Sequence, residues 1–274
     1  MVDDTLLDRL YFAGDPHGTF SPLNEVATAE RPAAMILIGD YDLDCPLDEA
    51  VAPAAAATEI YWIHGNHDGD HAAYYTHLVD SGLADRCLHG RVQEIGGVRI
   101  AGLGGHFQGK IWHPHEGDGQ PKFTTRQGFL DCRLPPKDRW RGGVRIKQRA
   151  AIWWEDVEAL WDQRADILVT HEAPHCHPLG FQVIDDLAEA MGARIIVHGH
   201  HHVAYRFDHA DVERTVIGLG LAGVSTGTGR VRAVGQIDYP RGTDLLQRHQ
   251  QRWDRPAGRL QTIQSLLPPG GVHV

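Results

Sequence analysis

The chain is poor in sulfur, with four cysteines and three methionines in 274 residues. Cys45, Cys87, Cys132 and Cys176 are far apart and form no CxxC pair, so reduced thiols are expected rather than a disulfide framework or a thiolate metal site. No run of about 18 apolar residues occurs, so no membrane-spanning helix is expected. The opening Met1-Val2-Asp3-Asp4 is acidic and has no apolar stretch behind it, so no signal peptide is expected and the location reads as cytoplasmic. Net positive charge is lacking too. Lys and Arg number 26 against 36 Asp and Glu, a formal charge of −10, which excludes a general nucleic-acid coat protein.

What is present fits a soluble α/β protein: 42% hydrophobic residues, 23% charged residues and 31 glycines. The length suits one large domain, placed at residues 1–240, with a tail at 241–274. Short apolar runs at 10–14, 34–38 and 59–63 alternate with helix-like stretches, the first opening at Ser21-Pro22, the others at 47–57 and 70–79. That alternation predicts βαβ units and a mainly parallel sheet. Two β runs around Gly96-Gly97 predict a hairpin. Further on come a helix at 150–163, a strand at 166–170, a helix at 181–191 and a strand at 193–197, then β runs at 212–219 and 230–238. Trp153, Trp154 and Trp161 stand at helical spacing and are expected in the core. The tail is expected to be partly helical, then frayed.

Residues 198–202, His-Gly-His-His-His, follow the buried-looking strand 193–197. Four other strand-like runs also end in residues that bind metals. These ends carry Asp15 and His17, Asp40, Asn66 and His67, and His171, beside His200 and His202 of the last. In open α/β sheets, ligands bind outside the carboxyl ends of strands. Mixed oxygen and nitrogen donors without thiolate favour hard or borderline divalent ions: Mn, Fe or Zn first, with Mg, Ni or Co as further candidates. The donors are too many for one tetrahedral ion and suit two divalent metal ions sharing a bridging carboxylate.

In order, Gly-Asp-Pro-His-Gly, Gly-Asp-Tyr-Asp, Gly-Asn-His-Asp, Thr-His-Glu-Ala-Pro and Gly-His-His-His resemble the calcineurin-like metallophosphoesterase superfamily across residues 13–202. The resemblance implies a sandwich of two mixed β-sheets flanked by helices. It implies that Asp15, His17 and His202 hold a first metal and that Asn66, His171 and His200 hold a second. Asp40 would bridge them and His67 would assist the leaving group. It further implies hydrolysis of a phosphomonoester or phosphodiester by a hydroxide bound between the ions, whose pKa the ions lower.

The protein phosphatase and dinucleoside tetraphosphatase branches carry GDxVDRG. Here Leu43 stands where the second Asp belongs and the Arg is missing. Asp42, Asp44 or Asp68 is left to orient His67. The missing element favours a phosphorylated small molecule or nucleotide over a phosphoprotein. His198 and His201 alternate with the ligands and should point away from them. His64 reads as a core histidine, and His175, Cys176 and His177 as a loop beside the site.

The stretch 106–149 matches no motif. It holds ten Lys and Arg against four acids, interleaved with Phe107, Trp112, Phe123, Phe129 and Trp140. It is expected either as a solvated insertion or as a cationic flap, with Arg139, Arg141 and Arg145 gripping substrate. Two alternatives stand beside the small-molecule phosphoesterase. One is a nuclease acting on single-stranded nucleic acid, through stacking and positive charge. The other is a catalytically silent binding scaffold.

Overall fold

The computed structural model describes residues 2–236 and the backbone of 258–262. Three parallel strands open the chain: β1 (Leu10–Ala13), β2 (Ala34–Leu37) and β3 (Glu59–Trp62). They join β10 (Val224–Thr226) and β11 (Val231–Ala233) in a five-stranded sheet of order β11-β10-β1-β2-β3. The second sheet has seven strands, β12-β8-β9-β7-β6-β5-β4. Its centre is parallel: β5 (Val98–Leu103), β6 (Ile167–Thr170), β7 (Ile195–His198) and β9 (Thr215–Gly218). Its margins are antiparallel: β4 (Arg91–Ile95), β8 (Tyr205–His209) and β12 (Gly258–Thr262). Both sheets are therefore mixed.

The parallel strands are buried along nearly their whole length, as strands covered on both faces must be. Leu10, Phe12, Ile36, Ile38 and Ile63 meet Ile100, Ile167, Val169, Val197 and Ile217 in the core between the sheets. Outside the five-stranded sheet lie α1 (Ser21–Glu30), the short helices Leu47–Ala50 and Ala52–Ala55, and α2 (Ala72–Val79). Helix α1 starts at Ser21 itself, with Phe20 as N-cap. The predicted 47–57 helix is broken at Val51, where Pro53 opens a new first turn. Outside the seven-stranded sheet lie α3 (Trp154–Trp161) and α4 (Gln182–Met191). Of the three tryptophans, Trp153 is fully buried and Trp154 partly so, whereas Trp161 is exposed at the end of α3. The tail's predicted helix falls outside the described residues except at 258–262, which are a strand paired to β8.

The insertion is not a solvated loop. Phe107, Ile111, Trp112, Phe129, Leu130, Leu134 and Val144 are all buried in the core beside α3 and α4. Among the described residues no helix is long and apolar enough to cross a membrane. All four cysteines are free thiols.

Candidate metal centre

Five loops at the carboxyl ends of β1, β2, β3, β6 and β7 converge, three from one sheet and two from the other. Their backbone is tightly folded. Asp15, His17, Asp40, Asp42, His200 and His202 all have positive φ, between 35° and 67°. Non-glycine residues enter this region rarely and at some cost, so such strain concentrates where a site over-determines its geometry. Glycines allow the closest approaches. A Cβ on Gly65 would lie 2.2 Å from Asp40 Oδ1 and 2.5 Å from His171 Cε1, and one on Gly199 would lie 2.5 Å from Asp15 Oδ2.

Asp68 ties the loops together from beneath. Its buried carboxylate accepts from the backbone N–H groups of Asp40 (3.0 Å), Tyr41 (2.9 Å) and Gly65 (2.7 Å). Burial and the neighbouring Asp40 push its pKa up to about 6, although those N–H bonds pull the other way. His17 N–H donates to the Asp40 carbonyl and His67 N–H to Asp40 Oδ1, at 3.0 and 2.7 Å.

Among the described residues three triads of donor atoms result, each with all its atoms within 4.8 Å of one another, and two of them share Asp40: His17, Asp40 and His202, and Asp40, His171 and His200. The third is Glu172, His200 and His201, which shares His200 with the second. Asn66 joins the second, with Oδ1 2.9 Å from His171 Nε2. Asp15 lies in none of the three. Its buried carboxylate accepts from the His200 N–H at 3.1 and 3.2 Å, and stands 3.6 Å from His171 Nδ1.

The donor chemistry fits cations. His17 Nδ1 is held by Asp42 at 2.9 Å, which fixes the tautomer and aims the Nε2 lone pair at His202 Nε2, 3.3 Å away. His171 Nδ1 donates to the Ile38 carbonyl at 2.8 Å, so its Nε2 faces the oxygens of Asn66 and Asp40, the latter at 3.2 Å. Acceptors turned on one another need positive charge between them. Without a metal, a proton supplies it. Burial pushes His171 down, yet Asp40 and Asp15 raise its pKa to about 10. Burial pushes Asp40 up, and His171 overrides this, holding the carboxylate well below its usual range. Asp15 is raised to about 7, by burial first and Asp40 next. Burial drives His200 far below the ordinary histidine value, leaving a neutral nitrogen able to ligate.

His67 is half-exposed on a single 3-10 turn (His67–Gly69), its ring edge-on to His17 with centroids 5.2 Å apart. The carboxylate that meets it is Asp70, at 2.7 Å from Nδ1. None of the three carboxylates expected from the sequence does so: Asp42 serves His17, Asp68 serves the backbone, and Asp44 is exposed. Burial depresses His67, but Asp40 and Asp70 outweigh it and raise its pKa.

Glu172 is a second residue the sequence did not single out. It is buried, raised to about 7 by that burial, and places Oε2 3.8 Å from His200 Nε2. His198 faces away from the ligands, as alternation predicts. Its Nδ1 donates to the Gly199 carbonyl, and its Nε2 accepts from Tyr205 Oη at 2.6 Å. His201, expected to point away from the ligands, does not: it offers a donor atom within 4.8 Å of Glu172 and His200, and its ring stacks flat on His177, centroids 3.9 Å apart, which puts the 175–177 loop beside the site. His64 is buried against His89.

The three insertion arginines have protein partners. Arg139 donates to the carbonyls of Leu130 and Leu134, closing the helix Arg126–Arg133. Arg141 makes a two-pronged pair with Asp80 at 2.6 and 2.8 Å, and Arg145 pairs with Asp138 at 3.1 Å.

Known proteins are similar to this chain in sequence or in fold. A Haemophilus influenzae protein, described only as uncharacterized, is 40% identical over 199 residues, 72% of this chain and 85% of that one. The crystal structure of TT1561 from Thermus thermophilus shares the fold at a TM-score of 0.52 and 16% identity, covering 82% of this chain and 98% of that one. The family model described as calcineurin-like phosphoesterase matches residues 8–204, a span holding these donor triads and His67, and the chain belongs to that family.

Proposed function

We propose that this chain is a dimetal phosphoesterase that hydrolyses a phosphomonoester or phosphodiester of a small molecule or nucleotide. The observation that carries the proposal is the membership of Asp40 in two donor triads that otherwise share no residue, the arrangement a bridging carboxylate requires. His17 and His202, with Asp15 behind them, would hold one divalent ion, and Asn66, His171 and His200 the other. The ions would supply Lewis acidity toward the phosphate oxygens and a nucleophile at neutral pH. The protein's part is to keep the donors in place. Asp42 holds His17 in the tautomer that presents Nε2, the Ile38 carbonyl does the same for His171, and Asp68 fixes the loops that carry Asp40 and Asn66. His67, whose Nδ1–H is held by Asp70, would give the leaving oxygen the Nε2 proton of its imidazolium form and be left neutral, protonated at Nδ1.

The nuclease alternative drew on the aromatic rings of the insertion. Phe107, Trp112 and Phe129 are buried, and Trp140 lies beneath the guanidinium groups of Arg141 and Arg149, so these rings offer no platform for bases. A silent scaffold would be expected to have lost ligands, and the sequence keeps a ligand-type residue at all seven motif positions, which supports the enzymatic reading.

The experiment is to strip the protein of metal and resupply Mn, Fe, Zn, Mg, Ni or Co against phosphomonoesters, phosphodiesters, nucleotides and single-stranded nucleic acid. Turnover should return with added metal, and metal analysis should give up to two ions per chain. Asp40→Asn should lose both ions and turnover while keeping its circular dichroism spectrum. Full metal content and near wild-type activity in that variant would refute the shared-carboxylate assignment.

A further inference from the structure

We propose that Asp70 is the positioning residue for His67, taking over the task of the carboxylate that Leu43 displaces from the Gly-Asp loop. The inference rests on the phosphoesterase reading and adds to it a residue that no motif contains.

The geometry is local and complete. The backbone of His67–Gly69 makes one 3-10 turn, closed by the Asp70 N–H donating to the His67 carbonyl at 2.9 Å. Side chains three residues apart eclipse one another in such a turn. Asp70 is thereby set over the imidazole, with Oδ2 2.7 Å from Nδ1. That bond keeps a proton on Nδ1 in both charge states of the ring, so the proton exchanged with substrate is the one carried on Nε2. The backbone under the ring is fixed separately, by the His67 N–H on Asp40 Oδ1. The ring face is bounded by the edge-on contact with His17.

The insertion supports the turn from outside. The short helix Ile146–Arg149 lies against it so closely that a Cβ on Gly69 would meet Ala150 Cβ at 2.7 Å. Lys147 extends its ammonium to 4.0 Å from Asp70 Oδ1, and its carbonyl accepts from the Gln108 side chain at 2.6 Å. A carboxylate that is more than one-third exposed orients a histidine poorly unless its own turn is held. Part of the unmatched stretch 106–149 thus finds a use in bracing the turn that carries the dyad.

Two measurements test this. Nitrogen NMR of the imidazoles should show wild-type His67 protonated at Nδ1. Asp70→Ala should shift that tautomer balance, and Asp70→Glu should restore part of it. This readout stands even if no phosphoester is turned over, so failure of the functional reading does not hide the outcome. Where turnover is found, Asp70→Ala should keep its metal content and lower kcat at least about 10-fold on alkyl phosphates, within the 10²–10⁴ range of acid–base assistance. On nitrophenyl phosphate, whose leaving oxygen needs little protonation, it should lose less than about 3-fold. In the His67→Asn background the same change should cost nothing further, because the two residues act as a unit. A wild-type His67 protonated at Nε2 alone would overturn the proposal. Equal losses on both substrates, or losses that add to those of His67→Asn, would overturn it as well.

Discussion

At the scale of single residues, the proposed ligands were legible because each sits in a short motif whose chemistry survives without a fold: Asp-Pro-His, Gly-Asp, Gly-Asn-His, Thr-His and Gly-His-His-His. Their partners were not. Asp42, Asp68 and Asp70 look alike in the sequence, and the turn geometry alone assigns them to His17, to the backbone and to His67. The spacing His67-x-x-Asp70 was the available signal, since a 3-10 turn would pair those positions. The six strained left-handed residues left no mark, because Asp and His also adopt ordinary conformations. A pH prediction belongs at this scale. Burial lowers the pKa of His198 from 6.5 to about 4, so the unfolded chain binds a proton there that the folded chain refuses. Stability associated with this group is complete above the unfolded value and is lost as pH falls from about 6.5 through about 4, by at most about 1.4 kcal/mol per pH unit for one proton. Urea titrations of chelator-treated protein across that window should show a shallower slope for His198→Gln than for wild type. Identical slopes would mean that His198 is protonated in the native state.

At the scale of elements, strands buried on both faces announced themselves as continuous apolar runs, and Gly96-Gly97 announced its hairpin. Strands β8 and β10 escaped notice. Tyr205–His209 mixes charged and apolar residues, as a strand near a margin does, and Val224–Thr226 is three residues long. The insertion misled for a different reason. Its ten cations dominate the composition, while the fold is decided by a smaller number of apolar side chains turned inward. The consequence can be measured. Phe129→Ala should cost about 3–5 kcal/mol, as truncation in a packed core does. Arg141→Gln removes an exposed pair and should cost less than about 1 kcal/mol. Urea denaturation gives both numbers, and a Phe129→Ala cost as small as that of Arg141→Gln would mean that the insertion does not share the core.

At the scale of the whole molecule, the proposed centre sits where the two sheets meet. Asp40 and Asn66 belong to loops of the five-stranded sheet, and His171 and His200 to loops of the seven-stranded one. Divalent ions bound there would join the sheets at one end, where the apolar core of Leu10, Phe12, Val169 and Val197 gives way to charged groups. Ligation of the folded state alone adds about 2.7 kcal/mol when the ion stands at 100 times its dissociation constant. Calorimetry should therefore show Tm rising with added Mn or Zn in the stripped wild type and rising less in Asp40→Asn. A Tm indifferent to metal in the wild type would count against ligands drawn from both sheets.

The order in which the donors occur has its own consequence. The first proposed ligand is Asp15, after β1, and the last His202, after β7, with the others at the ends of β2, β3 and β6 between them. A ribosome must therefore release most of the chain before the last imidazoles can reach the first carboxylate. A nascent chain that still lacks its Gly-His-His-His segment lacks His200 and His202, and with them one member of each triad that contains Asp40. A chain cut short anywhere before residue 202 lacks part of the proposed donor set.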